Sequence, residues 1–264
     1  MKAWGLFSPF FGPIPGSVAM SSYRDSHSAP GYARLYDRTF AEGYYARLWN
    51  DVERPLVQSI LAGLAAGGAR RSLDFACGTG RILALHEAIF EDVVGNDISD
   101  EMAARARERC PRARIVVGDV TARGAGRVPR DRQVCTAFRF FLNAEPELRH
   151  AAMAALRDCL VKDGHLVANF HVNAISPMGR LYRVRNALAR RTINNVMSER
   201  EAVALFKSHG FAVEAVHRYG LWPRIGWHFD ALNRKLLSRA ETMGRRLPFL
   251  QRYAQTFILV GRRQ

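Results

Sequence analysis

Between residues 51 and 64, apolar side chains recur at three- and four-residue spacing, at Val52, Leu56, Ile60, Leu61 and Leu64. That period predicts an amphipathic helix, stopped by Gly67-Gly68. The pattern then changes. Short apolar runs at 72–76, 93–97, 115–119, 134–138 and 165–170 alternate with helical stretches at 81–90, 101–110 and 147–160. Strands that are apolar throughout are buried on both faces, and their alternation with helices predicts a parallel sheet. Two later strand-like runs occur at 211–216 and 256–260. Arg- and aromatic-rich sequence, rather than a simple helical unit, fills the space between them. The expected fold is a doubly wound α/β sheet with insertions.

Composition narrows the class without naming a function. The 264 residues are 48% hydrophobic and 24% charged, which suits one large domain and excludes collagen, coiled coil and disorder. Charge and glycine interrupt every apolar run before the ~18 residues of a membrane span. The net charge is +15, carried by 39 basic residues of which only four are Lys. With abundant Ala and Gly, such a split is what GC-rich coding gives without selection for binding. Position says more than the total: residues 174–200 carry +5 and residues 224–264 carry +7. Cys77, Cys110, Cys135 and Cys159 lie far apart, and no His stands at zinc-ligand spacing, so neither a disulfide framework nor a metal site is expected. A reducing cytoplasm fits this cysteine usage, and the Arg-rich insertions would put the protein at the periphery of the inner membrane surface. Residues 1–22 read as a disordered leader, because Pro9, Pro13, Pro15, Gly12 and Gly16 break any apolar helix, and Met20 is a plausible start. Residues 23–264 then form one domain with insertions at about 174–200 and 222–253.

The chemistry concentrates in Leu73-Asp74-Phe75-Ala76-Cys77-Gly78-Thr79-Gly80-Arg81. A strand enters a glycine turn that opens a helix. Gly78 and Gly80 can adopt angles denied to other residues and let a ligand approach the main chain. Such a turn at the carboxyl end of a parallel strand suits a nucleotide-like ligand. Asp97 closes the second strand, where a carboxylate can accept from both ribose hydroxyls, and Asp119 closes the third. A dinucleotide fold would want a third glycine where Leu83 stands. Each acid also has a structural reading: Asp97-Ile98-Ser99-Asp100 as a helix cap, and Asp119 as a strand terminator.

LDFACGTGR, VVGNDIS and VVGDV together resemble the class I S-adenosylmethionine-dependent methyltransferases, over roughly residues 45–173. The resemblance implies a Rossmann-like, mostly parallel seven-stranded sheet whose last two strands form an antiparallel-edged pair, with helical lids after strands five and six. It implies S-adenosyl-L-methionine as cofactor. Asp74, Ala76, Cys77, Gly78 and Gly80 would hold the methionine portion, Asp97 the ribose, Ile98 the adenine face, and Asp119 and Val120 the adenine edge. Tyr36 and Tyr44, from an aromatic stretch at 32–49, would close over the cofactor, core packing being the alternative.

Methyl transfer demands alignment and an available lone pair more than side-chain chemistry. The groups after the fourth and fifth strands are therefore the catalytic candidates. His171 would act as a general base or shape its loop, and Arg139 would anchor an anionic group or pair with an acid. The (Asp/Asn/Ser)-Pro-Pro-aromatic motif of DNA amino-methyltransferases is absent after the fourth strand. In the first insertion Met178, Leu181, Val184 and Leu188 form an apolar stripe among Arg residues, and Tyr182 is its one aromatic. In the second, Trp222, Trp227, His228 and Phe229 precede a helix-like stretch at 230–243. These insertions read as a packed lid, an element at an anionic membrane or, less well, a nucleic-acid surface. The expected activity is O-methylation of a small or lipid-like, amphipathic acceptor. An RNA methyltransferase and a non-catalytic cofactor-binding domain are the alternatives.

Overall fold

The computed structural model describes residues 31–122, 128–142, 144–189, 196–222 and 230–264. The leader, Met20, Arg190, Arg191, Trp227, His228 and Phe229 lie outside the described residues, as do the side chains of Tyr32 and a few others.

Helices α1 (Tyr32–Ala41) and α2 (Gly43–Arg47) lead through a π-helical stretch, Leu48–Glu53, into α3 (Arg54–Ala66). There follow β1 (Arg71–Phe75), α4 (Leu83–Ile89), β2 (Asp92–Asp97), α5 (Asp100–Arg109), β3 (Arg114–Val117) and β4 (Arg132–Ala137). The chain continues with α6 (Pro146–Cys159), β5 (Leu160–His171), α7 (Pro177–Ala189), α8 (Glu199–Ser208), β6 (Phe211–Tyr219), α9 (Asp230–Arg246), a 3-10 segment (Pro248–Tyr253) and β7 (Thr256–Arg263).

The seven strands form one sheet in the order β3-β2-β1-β4-β5-β7-β6. β1 to β5 are parallel, and β7 inserts antiparallel between β5 and β6. The expected seven-stranded, doubly wound sheet is therefore present. Alternation along the strands sends side chains to two separate cores. Leu166, Ala168 and Phe170 of β5 join α6 and α8 on one face, while Val167 joins α3 and α4 on the other. Truncating a fully buried leucine such as Leu166 to alanine would cost about 2–5 kcal/mol, the range for a core cavity.

Three expectations need correction. A 17-residue helix, α9, joins β6 to β7 and runs past the 230–243 estimate. Helix α8 was not anticipated, and the 174–200 insertion cuts into its first turn. The apolar stripe of α7 is not packed: Leu181, Val184 and Leu188 are 57%, 56% and 82% exposed. That helix docks through Tyr182, which joins Leu142 and Val172 with Met178 beside them.

Candidate functional site

The carboxyl ends of β1, β2, β4 and β5 open onto one cavity, with β3 contributing through the loop that follows it. It encloses about 1110 Å³, open mouth included. Ala76, Cys77, Gly78, Asp74, Asp97, Ile98, Asp119, Val120, Tyr36, Arg139 and His171, all singled out from sequence, line it.

The glycine turn divides its labour. Gly80 has φ +84°, and a Cβ there would meet Ala106 Cα at 3.2 Å and the Cys110 sulfur at 3.3 Å, so it serves packing against α5. Gly78 has φ +57°, and a Cβ there would meet nothing within 4 Å. Its bare face looks into open space. The Asp97 carboxylate accepts from the Gly78 N–H at 2.8 Å and the Ser99 N–H at 2.9 Å. Burial pushes its pKa up, and those backbone donors oppose the rise. Ser99 caps α5 through the Met102 N–H, so cap and acid coexist in the same four residues. Asp119 accepts from the Thr121 backbone and hydroxyl. Asp74 is fully buried and accepts from the Thr136 hydroxyl at 2.6 Å, while its second oxygen has no hydrogen-bond partner. Burial pushes its pKa up to about 7.

The cavity's other end is assembled from distant segments. Glu53, at the end of the π-helical stretch, is 1% exposed and accepts from Arg139 Nη2 at 3.0 Å, the Tyr219 hydroxyl at 2.8 Å and Asn169 Nδ2 at 3.3 Å. Burial raises its pKa, but the opposing charges of Arg139 and Arg81 and the hydroxyl of Tyr219 prevail and hold it below the ordinary value. Glu53 carries no local sequence signal and was missed. Of the two roles expected for Arg139, the structure therefore shows the ion pair. Burial, and behind it the Arg139 charge, hold His171 well below the usual imidazole pKa, so its ring is neutral at pH 7.

Backbone strain marks the same place. Ala76, Arg139 and Val172, just beyond the ends of β1, β4 and β5, have φ of 51°, 59° and 59°. Each left-handed residue costs about 1–3 kcal/mol and persists only where its surroundings enforce it.

Helix α1 roofs the cavity with Tyr36 and Phe40. Asp37 fastens it, accepting from the Thr79 hydroxyl at 2.7 Å and pairing with Arg105 and Arg109 of α5. Tyr44 is not on the cavity. It is buried beside Tyr45, and its hydroxyl donates to the Trp222 carbonyl at 2.6 Å, so it ties α2 to the segment before α9. Among the described residues no cluster of His, Cys, Asp and Glu could hold a metal, and no helix is long and apolar enough to cross a membrane. The four cysteines are buried and free.

These residues fit the cofactor that the resemblance implies. The bare face of Gly78 leaves room for a ligand against the main chain, and the buried, unpartnered oxygen of Asp74 is a candidate acceptor for an ammonium group.

Residues 73–164 match the family model described as a methyltransferase domain. The fold is similar to that of magnesium protoporphyrin IX methyltransferase from Synechocystis PCC 6803, solved with bound S-adenosylhomocysteine. Identity to it is 15%, over 91% of this chain and 97% of that one, with a TM-score of 0.61. An S-adenosylmethionine-dependent methyltransferase from Mesorhizobium loti is 18% identical over 82% of this chain and 98% of its own, with a TM-score of 0.54. No curated protein matches. Residues 73–164 thus carry a methyltransferase domain at the heart of this sheet order, in a fold similar to that of class I methyltransferase structures that hold the methyl donor or its product.

Proposed function

We propose that the chain methylates an oxygen of a small amphipathic acceptor, and that α7 and α9 draw such acceptors from an anionic membrane surface. The observation that carries the acceptor class is the cavity wall. Phe40, Phe138, Phe140 and Leu148 present apolar surface beside the Arg139 charge and the neutral His171 ring. An acceptor with an apolar body and a polar end matches that division. The Synechocystis neighbour is named for a porphyrin acceptor, which is a molecule of the same general character.

Asp74, Ala76, Cys77 and Gly78 hold the donor's methionine end in this reading, with Gly80 shaping the turn. Asp97 takes the ribose, Ile98 packs on the adenine, and Asp119 and Val120 read its edge. S-adenosylmethionine, when bound, supplies an electrophilic methyl group on a sulfonium. His171 is neutral at working pH and accepts the hydrogen bond, then the proton, of an acceptor hydroxyl. Its depressed pKa makes it a weak base, so positioning by the aromatic wall supplies more of the acceleration, up to ~7–11 kcal/mol.

The membrane reading rests on exposed apolar side chains among arginines. Leu181, Val184 and Leu188 of α7 stand with Arg180, Arg183 and Arg185, and Phe249 is 63% exposed near Arg246 and Arg252. Near anionic lipid each arginine adds ~1 kcal/mol.

The deciding experiment supplies donor carrying a labelled methyl group and compares dodecanol, a long-chain phenol and total RNA as acceptors. Label in an ether of the alcohol or phenol is the expected result. Label confined to RNA overturns the acceptor class. Vesicles of phosphatidylglycerol should co-sediment the protein and vesicles of phosphatidylcholine should not. Equal sedimentation, or none with either, overturns the membrane contact.

A further inference from the structure

His86, on α4, is a fully buried titratable group that the proposed chemistry leaves unused. Its Nε2 lies 3.0 Å from the Thr136 hydroxyl, which in turn bonds Asp74 Oδ1 at 2.6 Å. Asp74 and Thr136 are register partners on the neighbouring strands β1 and β4, so their side chains leave the same face of the sheet. Asp74 lines the cavity, and Thr136 and His86 stand behind it. The other charged or titratable groups around Asp74 include Asp97, Arg81 and the thiols of Cys77, Cys110 and Cys135.

Burial holds the His86 imidazole far below its usual pKa, at about 3, so the ring is neutral and carries a single N–H. Its Nδ1 is shielded from water and has no hydrogen-bond partner. Orphaned N–H groups are rarer in protein interiors than under-used acceptors, so the proton belongs on Nε2. The Thr136 hydroxyl has one proton to give. Because it accepts from Nε2–H, it turns that proton to Asp74, and a chain of hydrogen bonds ending on a carboxylate strengthens its links. Burial raises the Asp74 pKa, and the Thr136 hydroxyl is the strongest of the groups opposing that rise. A leucine would fill the same space beside Phe90 but would supply no N–H.

We infer that His86 is a positioning residue of the donor site, its Nε2–H aiming the Thr136 hydroxyl so that Asp74 keeps its charge beneath the cationic end of the methyl donor. The inference rests on the cofactor reading and deepens it. His86 touches no ligand and transfers no proton in this arrangement, so its mark is a tautomer and a pH profile.

Nitrogen NMR of the ligand-free protein with isotope-labelled histidine reads the tautomer, the His86 signal being the one that His86→Gln lacks. A ring protonated at Nε2 is expected, and one protonated at Nδ1 overturns the relay. Calorimetry then compares S-adenosylhomocysteine with its deamino analogue, which keeps the carboxylate but has no ammonium. Asp97 faces both ligands alike, so the comparison cancels its titration. The wild type should lose S-adenosylhomocysteine affinity as pH falls through about 7, where binding must strip a proton from Asp74. In His86→Leu, folded by circular dichroism, that fall should begin about one pH unit higher, giving about tenfold weaker binding near pH ~6 and under about twofold near pH ~8.5. The deamino analogue should bind both proteins within about twofold throughout, and His86→Gln, whose amide can donate to Thr136, should follow the wild type. A loss of equal size at every pH makes His86 a packing residue and overturns the inference. So does an unchanged profile, an equal shift for the deamino analogue, or a His86→Gln profile that matches His86→Leu. A wild type that binds no S-adenosylhomocysteine instead overturns the cofactor reading, while the tautomer still tests the relay.

Discussion

The two ends of the cavity are built on different principles. At the glycine-turn end, Asp74, Gly78 and Asp97 come from two neighbouring parallel strands and their turns, and much of the bonding is to backbone N–H groups. At the Glu53 end, one carboxylate gathers side chains from the turn after β4, from β5 and from β6, between 86 and 166 residues away. The first end is a local fold of the main chain. The second exists only when the whole sheet is assembled. Substitutions at the Glu53 end should therefore act on stability, whereas those at the glycine-turn end should act on ligand affinity and, through buried Asp74, on the pH dependence of stability.

The largest expected effect tests the Glu53 end. Glu53→Ala strands the Arg139 charge and two polar partners in the interior, and breaking such a buried pair costs about 3–5 kcal/mol. Urea denaturation would measure it, and a loss under 1 kcal/mol would mean that water compensates the network. Next is a pH dependence at the other end. The Asp74 pKa is raised to about 7, so the folded state keeps a proton that the unfolded chain releases near pH 4, and rising pH destabilises the fold through Asp74. Asp74→Asn lacks that penalty. Without cofactor, its stability relative to wild type should improve by about 3 kcal/mol between pH 5 and pH 8, at ~1.4 kcal/mol per unit. Comparing the two proteins cancels the opposite contribution of buried His86, whose pKa is lowered to about 3. A pH-independent difference would place Asp74 in an ordinary carboxylate environment.

Asp97→Ala should weaken S-adenosylhomocysteine ten- to hundredfold, about 1.5–3 kcal/mol of charged hydrogen bonding, while the protein stays folded. Unchanged affinity in calorimetry would remove Asp97 from the ribose site. The smallest effect belongs to the roof. Asp37→Ala breaks partly exposed pairs, so stability should fall by no more than about 1 kcal/mol while amide exchange in α1 quickens. Unchanged exchange would show that α1 is held by Tyr36 and Phe40 packing instead.

The glycine-turn end was legible because backbone demands select residue types locally. Positive φ favours glycine at 78 and 80, a Cβ at 80 would also press on α5, and the strand-end acids keep regular spacing. Glu53 offered no such cue: in a helical stretch it looks like any solvated acid, and its partners are set by tertiary packing. The α7 stripe was legible as amphipathic but not as to which side meets the protein, since Tyr182 rather than the leucines makes the contact. Helix α8 did announce itself. Ser198 and Glu201 form a reciprocal capping box ahead of Leu205 and Phe206, a signal visible in Ser-x-x-Glu. Tyr44 was misplaced because the four-residue aromatic spacing assumed one continuous helix, whereas α1 ends at Ala41 and α2 begins at Gly43.

The position of β7 has a consequence for how the chain is made. β6 joins the sheet only through β7, which leaves the ribosome after it. During synthesis the parallel half can begin to pair as each strand emerges, since domains assemble from the N-terminus onward. β6, and with it the Tyr219 hydroxyl, has no edge to dock on until Thr256–Arg263 is delivered. A nascent chain thus completes its glycine-turn end before Glu53 has all its partners, and a ribosome stalled before β7 would display a half-built enzyme whose buried acid still lacks the Tyr219 hydroxyl.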